Sequence, residues 1–323
     1  MRIMVVGGAG YIGSHMVLAL VETGHDVLVL DDLSKGHADA VQGVPLVKGS
    51  IADSTLLDDL FGRMNFDGVM HFASFIQVAE SILEPAPYYE NNLVNTIILL
   101  NAMVRHKIKK LVFSSSAAVY GEPQVIPITE DHPKNPVNPY GKGKWMVEQI
   151  LQDYERAYDL KSISLRYFNA AGADPLGRAG ERHLPETHLI PLLLKAAAGK
   201  ADPVTIFGTD YDTADGSCIR DYIHVTDLCV AHLLAFQALM SGAPGSAYNL
   251  GNGHGFSVWE VLEAVKRVTG KPVPFQIVAR RAGDPSHLVA DATRAQVELG
   301  WQPHYPALDS IISHAWNFAC MQQ

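Results

Sequence analysis

The sequence predicts an α/β protein organised on a doubly wound parallel sheet, with a smaller, mostly C-terminal α/β domain behind it. Three observations carry that prediction. The chain opens on a short apolar run, Arg2 to Val6, that leads straight into glycines at positions 7, 8, 10 and 13. Such runs then alternate with segments of helical period as far as about residue 168, the pattern of strand–helix units whose strands are covered on both faces. Beyond that point proline and glycine become denser and the spacing irregular. The chain is therefore read as a Rossmann-like unit over 1–168 and a second domain over 169–323, with 220–240 packing back on the first.

Arg2 to Val6 (RIMVV) is the first strand. Gly7, Gly10 and Gly13 form G-x-x-G-x-x-G, a variant of the dinucleotide fingerprint. It combines a turn at positive φ with close backbone approach to a pyrophosphate and tight packing of helix on strand. A helix over Met16 to Glu22 follows, and the amides at its start face the phosphates. The next strand, DVLVLDD, ends in Asp31, placed to bind the hydroxyls of an adenosine ribose. A carboxylate there repels a 2′-phosphate and no arginine is near it in sequence, which favours NAD over NADP.

Leu46 to Lys48 is a strand, Ser50-Ile51 a turn and Ser54 to Met64 a helix. Gly68 to Phe72 is the next strand, followed by Ala73 and Ser74, small enough to let a cofactor lie against the backbone. His71 reads as a packed strand-end histidine. Tyr88 to Lys107 reads as one helix, and its Leu93, Val94, Ile97, Ile98, Leu99 and Leu100 wrap most of its circumference. A helix on one sheet face needs only a stripe. The excess is expected either from a helix–helix contact between two copies, hence a homodimer, or from deep burial within one.

Lys110 to Ser114 is a strand that delivers Ser116 to its C-terminal end, where chemistry gathers in open parallel sheets. Pro139 disfavours helix in the residue before it, so a helix starts at about Tyr140. Its apolar residues are Trp145, Met146, Ile150, Leu151 and Tyr154, with Glu148, Gln149, Gln152 and Asp153 between them. Tyr140 and Lys144 stand one turn apart on one face. Taken alone, the pair is also what a surface tyrosine and a snorkelling lysine look like. A phenol has a reference pKa of ~10, and lowering it by about three units takes ~4 kcal/mol. A lysine ammonium together with a nicotinamide cation would supply that, making a base for a sugar hydroxyl. The Ser116 hydroxyl is placed to bridge the substrate and Tyr140. Ser162 to Arg166 is a further strand, ending in Tyr167-Phe168-Asn169. Thr226 to Met240, Phe256 to Thr269 and Ala307 to Phe318 are helices. Lone arginines near loops in this last part suit an anionic ligand.

Composition excludes several classes. A net charge of −9 without a basic block argues against nucleic acid. The three cysteines, Cys218, Cys229 and Cys320, show no C-x-x-C spacing, so neither a disulfide framework nor a zinc knuckle is expected. That cysteine usage suits a reducing cytoplasm. No basic leader precedes the first strand and no apolar run is long enough for a bilayer, so a cytoplasmic protein with no membrane partner is expected. His183 and His188 are neither at helical i, i+4 spacing nor near a cysteine pair, so no metal is expected.

The segments GGAGYIGSH, HFAS, ESILEPAPYYENN, FSSSAAVYGEP, NPYGKGKWMVEQIL, RYFNAAGA, IFGTDY, DGSCIRDYIHVTDL, YNLGNG and RRAGDPSHLVAD run nearly end to end. Together they resemble the extended short-chain dehydrogenase/reductase family. The resemblance implies that Tyr140 is a catalytic base, Ser116 its partner, and Lys144 the residue that holds the ribose and tunes the tyrosine. It places NAD contacts at Gly7, Gly10, Tyr11, Ile12, Gly13, Asp31, Ser50, Ile51, Phe72, Ala73, Asn91, Lys144 and Phe168. It places nucleotide-sugar contacts at Ser116, Tyr140, Asn169, His188, Leu189, Phe207, Arg220, Arg281 and Asp284, with the arginines neutralising a UDP pyrophosphate.

The activity it implies is inversion at C4 of a UDP-hexose, interconverting UDP-galactose and UDP-glucose through a transient 4-keto sugar with tightly bound NAD. Ser50 stands where the family often has Asp, Ile76 where some members have Lys, and His188 where Asn is common. Leu288 falls near the position whose bulk limits N-acetylated sugars. A 4,6-dehydratase needs an acidic residue just before V-Y-G, and Ala117 and Ala118 occupy those places. The alternatives are a UDP-pentose or UDP-N-acetylhexosamine 4-epimerase, or a non-catalytic NAD-binding scaffold on the same fold. The Ser–Tyr–Lys trio speaks against the scaffold.

Overall fold

The computed structural model describes residues 1–41, 43–280 and 285–322 of the chain. The first unit alternates as the sequence predicts: β1 (Arg2–Val6), α1 (Tyr11–Glu22), β2 (Asp26–Asp31), β3 (Leu46–Lys48), α2 (Ser54–Arg63) and β4 (Gly68–His71). Then come α3 (Val78–Leu83), α4 (Pro85–Tyr89), a π-helical turn (Glu90–Val94), α5 (Asn95–Arg105), β5 (Lys110–Ser116), α6 (Pro139–Tyr158) and β6 (Lys161–Tyr167). The second part holds β7 (Asn169–Ala171), α7 (Leu189–Ala197), β8 (Val204–Phe207), β9 (Ile219–His224), α8 (Val225–Met240), β10 (Ser246–Leu250) and β11 (Gly255–Ser257). After these come α9 (Val258–Thr269), β12 (Phe275–Val278), β13 (His287–Leu288), α10 (Thr293–Leu299) and α11 (Leu308–Met321).

Seven strands form the main sheet in the order β10-β6-β5-β4-β1-β2-β3, and every pairing in it is parallel. This is the doubly wound order with one strand added. Successive residues of a strand face opposite sides, so β1 serves two cores. Ile3 and Val5 pack with α1 and α8, and Met4 and Val6 pack with α2, α5 and α6. The sequence predicts regular strand–helix order only as far as about residue 168. The structure adds β10, which pairs with β6 through Ser246–Leu250, because a strand this short carries little periodicity of its own. α8 packs on α1, β5 and β6.

Two further differences concern helices. The segment read as one helix from Tyr88 to Lys107 is α4, a π-turn and α5 in succession. In α6, Lys144 and Glu148 are buried while Met146 is 38% exposed, so the inward face is more polar than the apolar pattern indicated. Asn138 caps α6, its side chain accepting from the Gly141 amide at 2.8 Å, and Pro139 occupies the first turn, where its missing N–H costs nothing.

The rest of the second part has its own core. β7, β9, β11 and β13 form one small sheet and β8 pairs with β12. α7, α9 and α11 cover them through residues such as Leu193, Val261, Leu262, Ile311 and Ile312.

Candidate active site

The strand order reverses between β1 and β4, and such a switch point leaves a crevice beyond the strand ends. A cleft of about 1690 Å³ opens there, bordered on its far side by the loops and strands of the second part. Every residue expected to bind cofactor or substrate lines it except Arg281 and Asp284, which lie outside the described residues. Ile76 and Leu288 line it as well.

At the first end, Gly7 sits at φ 75°, and a Cβ there would run into the Ala73 backbone. A Cβ on Gly13 would strike the carbonyl oxygen of Gly7, so α1 packs on β1 only because that position is glycine. Gly10 differs, since a Cβ there meets nothing nearer than Gly7 O at 3.4 Å. Its open side is the room a pyrophosphate needs to reach the backbone. As the N-cap of α1 it brings no side chain, so the first-turn amides stay available to an anion. The Asp31 carboxylate accepts from the amides of Ala9 (2.9 Å) and Leu33 (2.8 Å), and burial raises its pKa. Its remaining lone pairs are free for ribose hydroxyls. Ser50 Oγ accepts from the Ala52 amide at 3.1 Å, Ile51 is buried, and the Phe72 ring lies 4.8 Å from the His232 ring. These residues fit a dinucleotide.

The π-turn at Glu90–Val94 bears on the same end. The side chain of Asn92 accepts from the Phe75 amide (2.8 Å) and donates to the Phe75 carbonyl (2.9 Å), pinning the loop after β4. Asn91 donates to Asn92 at 2.9 Å. Asn92 was not singled out from the sequence. The polar doublet Asn91-Asn92 beside a long apolar run was the available signal, and π-turns recur at functional sites.

At the reacting end, β5 carries Ser116 to the cleft and α6 carries Tyr140 and Lys144 on one buried face. Lys144 Nζ donates to the Ser114 carbonyl at 2.8 Å and lies 5.8 Å from the Tyr140 ring centre. Burial lowers the Lys144 ammonium to about 7, against the opposing charge of Glu148. The sequence expectation pairs Lys144 with a nicotinamide cation to lower the Tyr140 hydroxyl. In the protein alone, burial raises that hydroxyl, and the hydrogen bond with Ser116 opposes the rise. His71 is buried as expected, 3.3 Å from Thr96 Oγ1, and burial holds it down to about 3.

On the far side, Asn169 opens β7, His188 caps α7 and Leu189 begins it, Phe207 ends β8, and Arg220 lies on β9. Arg220 Nη1 donates to the carbonyls of Ile219 (2.8 Å) and Pro285 (2.9 Å), which holds its guanidinium at the cleft wall. His188 is 2.8 Å from Glu186; burial opposes its protonation, but Glu186 and Glu181 outweigh it and raise its pKa. Glu181, His183 and His188 come within 4.8 Å of one another, a grouping that their spacing in sequence did not indicate. Asp221, next to Arg220, accepts from the amides of Asn252, Gly253 and Ala290. It thereby ties together two loops behind the cleft, and burial raises it to about 6.

Comparison with known proteins agrees with this geometry. Residues 3–251 match the model of the NAD dependent epimerase/dehydratase family. The chain is 53% identical to the UDP-glucose 4-epimerase of Halalkalibacterium halodurans, over 98% of this chain and 95% of that protein. It superposes on the UDP-glucose 4-epimerase of Brucella ovis in complex with NAD with a TM-score of 0.96 and 46% identity, covering 98% of each chain. The enzyme of Bifidobacterium longum in complex with NAD+ and UDP gives 0.95 and 38%, over 99% of this chain and 98% of that one.

Proposed function

As the chain belongs to the NAD dependent epimerase/dehydratase family, we propose that it inverts C4 of a UDP-hexose, interconverting UDP-galactose and UDP-glucose. The carrying observation is the convergence of Ser116, Tyr140 and Lys144 on a cleft that also holds the glycine cradle and Asp31. Its relatives named UDP-glucose 4-epimerase cover nearly its whole length.

When bound, NAD would supply a reversible two-electron oxidation of the C4 carbinol, accepting hydride from its C4–H bond and later giving it back. Gly7, Gly10, Gly13, Tyr11 and Ile12 would hold its pyrophosphate end, Asp31 the adenosine ribose, Ser50 and Ile51 the adenine side. Phe72, Ala73, Asn91, Lys144 and Phe168 would hold the remainder. Tyr140 takes the proton of the 4-hydroxyl and returns it, and Ser116 steadies the exchange by bonding both oxygens. Asn169, His188, Leu189, Phe207 and Arg220 hold the nucleotide-sugar, with the arginine opposite the pyrophosphate. A 4-keto sugar must present both faces to one cofactor, and the cleft of about 1690 Å³ has room for that turn. Leu288 on the wall favours hexoses without an N-acetyl group.

The same reading takes 1–168, joined by α8, as the cofactor-binding part and the remainder as the sugar-binding part, in a cytoplasmic homodimer. Among the described residues no helix is long and apolar enough to cross a membrane. The pairing face lies on the Tyr88 to Lys107 segment, where Val94, at the end of the π-turn, is 47% exposed; sedimentation at micromolar concentration tests it. The function is tested by incubating the purified protein with UDP-galactose and no added reductant. UDP-glucose is expected. A 6-deoxy-4-keto product, or no conversion at all, overturns the reading.

A further inference from the structure

One buried polar row runs through the main sheet just below the cleft. Ser115 on β5, Arg166 on β6 and Asn249 on β10 are register partners, so their side chains stand on one face. All three are buried, together with Glu148 and Tyr120. Glu148 lies one turn beyond Lys144 on α6, so Tyr140, Lys144 and Glu148 follow one another at i, i+4 and i+8.

Glu148 joins the row to α6. Its Oε1 accepts from Ser115 Oγ at 2.5 Å and from Arg166 Nε at 3.0 Å, and its Oε2 from Arg166 Nη2 at 2.5 Å. Arg166 Nη1 donates to the Tyr120 hydroxyl at 2.9 Å, and that hydroxyl donates to Asn249 Oδ1 at 2.6 Å. The end of β5 is thus bolted to α6 twice in succession: Ser114 through its carbonyl to Lys144, and Ser115 through its hydroxyl to Glu148. Ser116 is the next residue. A bidentate guanidinium–carboxylate pair is the strongest of the neutral and charged bonds available for such a joint.

We propose that Glu148, clamped by Arg166, is a positioning residue of the reaction: it fixes Ser116 relative to Tyr140 and sets a carboxylate one turn beyond Lys144. The inference rests on the epimerase reading. The charged groups bearing on Lys144 come from two elements. Glu148 on α6 favours its protonated form, and His71 on β4 opposes it. Burial leaves His71 neutral above a pH of about 3, so Glu148 is the counter-charge that operates at neutral pH.

The test is the pH profile of kcat for UDP-galactose with Glu148→Gln, which keeps the shape and an acceptor oxygen but not the charge. We expect kcat near neutral pH to fall at least tenfold through misplacement of Ser116. The alkaline decline of the profile should set in roughly one pH unit lower, as Lys144 loses its counter-charge. Glu148→Asp keeps the charge on a shorter arm, so its kcat falls while its profile stays at the wild-type position. Glu148→Gln with a wild-type profile would reduce the residue to a structural role and overturn the proposal. If circular dichroism shows that Glu148→Gln does not fold, Ser115→Ala decides. It cuts only the bond from the strand to Glu148, and a kcat about tenfold down with KM within twofold is expected; an unchanged kcat is the contrary result. A wild-type protein that fails to convert UDP-galactose brings down the epimerase reading itself, which separates the two failures.

Discussion

At the scale of single residues, the site places opposing demands on Tyr140. Its enclosure raises the hydroxyl while Ser116 pulls it back, so the phenol rests as a neutral acid and needs a nearby positive charge to act as a base. Tyr140→Phe removes the exchangeable proton and little else. We expect kcat to drop by about 10²–10⁴, with the amount of NAD carried by the protein unchanged, measured by turnover and by cofactor content after denaturation. The roles proposed for the trio were legible in sequence because Tyr140 and Lys144 share a helical face and Ser116 follows a strand. The electrostatic sign on Tyr140 was not legible. It depends on how completely the phenol is covered, and burial is set by the meeting of α6, β5 and the loop after β4, not by local spacing.

At the scale of elements, α6 shows what a hydrophobic pattern conceals. Glu148 looks like a solvent-facing position in the sequence, yet it is buried, as Lys144 is. Glu148 is inward because Arg166 on a neighbouring strand answers it, and that partner lies eighteen residues away in the chain. Removing one member of a buried ion pair strands the other. Arg166→Met is therefore expected to destabilise the fold by about 3–5 kcal/mol, whereas Glu148→Met with Arg166→Met should cost clearly less. Equilibrium unfolding in urea of the two single variants and the double variant checks this. The strands β1, β2, β4, β5 and β6 were all recoverable from their apolar runs. The strands after residue 168, two to six residues long, were not, because they lie among irregular Pro- and Gly-rich segments and lack the alternation with helices that marks the first part.

At the scale of the whole molecule, buried histidines dominate the acid response. Burial lowers His15, His71, His224, His232 and His314, with His71 and His224 at about 3 and His232 at about 4. Their unfolded values lie near ~6.5. Above that pH both states are neutral and the groups are silent. Below it the unfolded chain gains protons that the folded chain refuses, so stability falls as pH drops toward about 4. Asp31, Glu130, Asp221, Asp227 and His188 work the other way: their folded values, about 6 for Asp221, exceed their unfolded ones, so they take up a proton first in the folded state. The large downward shifts of His71, His224 and His232 outweigh them, and the thermal midpoint is expected to fall between pH 6.5 and 4.5. A midpoint that holds constant across that window would contradict this account.

The π-turn at Glu90–Val94 has the geometry of an α-helix carrying one residue too many. Deleting a residue there would let the segment close into regular α form. It would also rotate everything upstream by about 100° around the axis, breaking the register that sets Asn92 against the Phe75 backbone it secures. The smoother helix would leave the cofactor side of the cleft without its anchor, so any shortened homologue must find another means of restraining that loop.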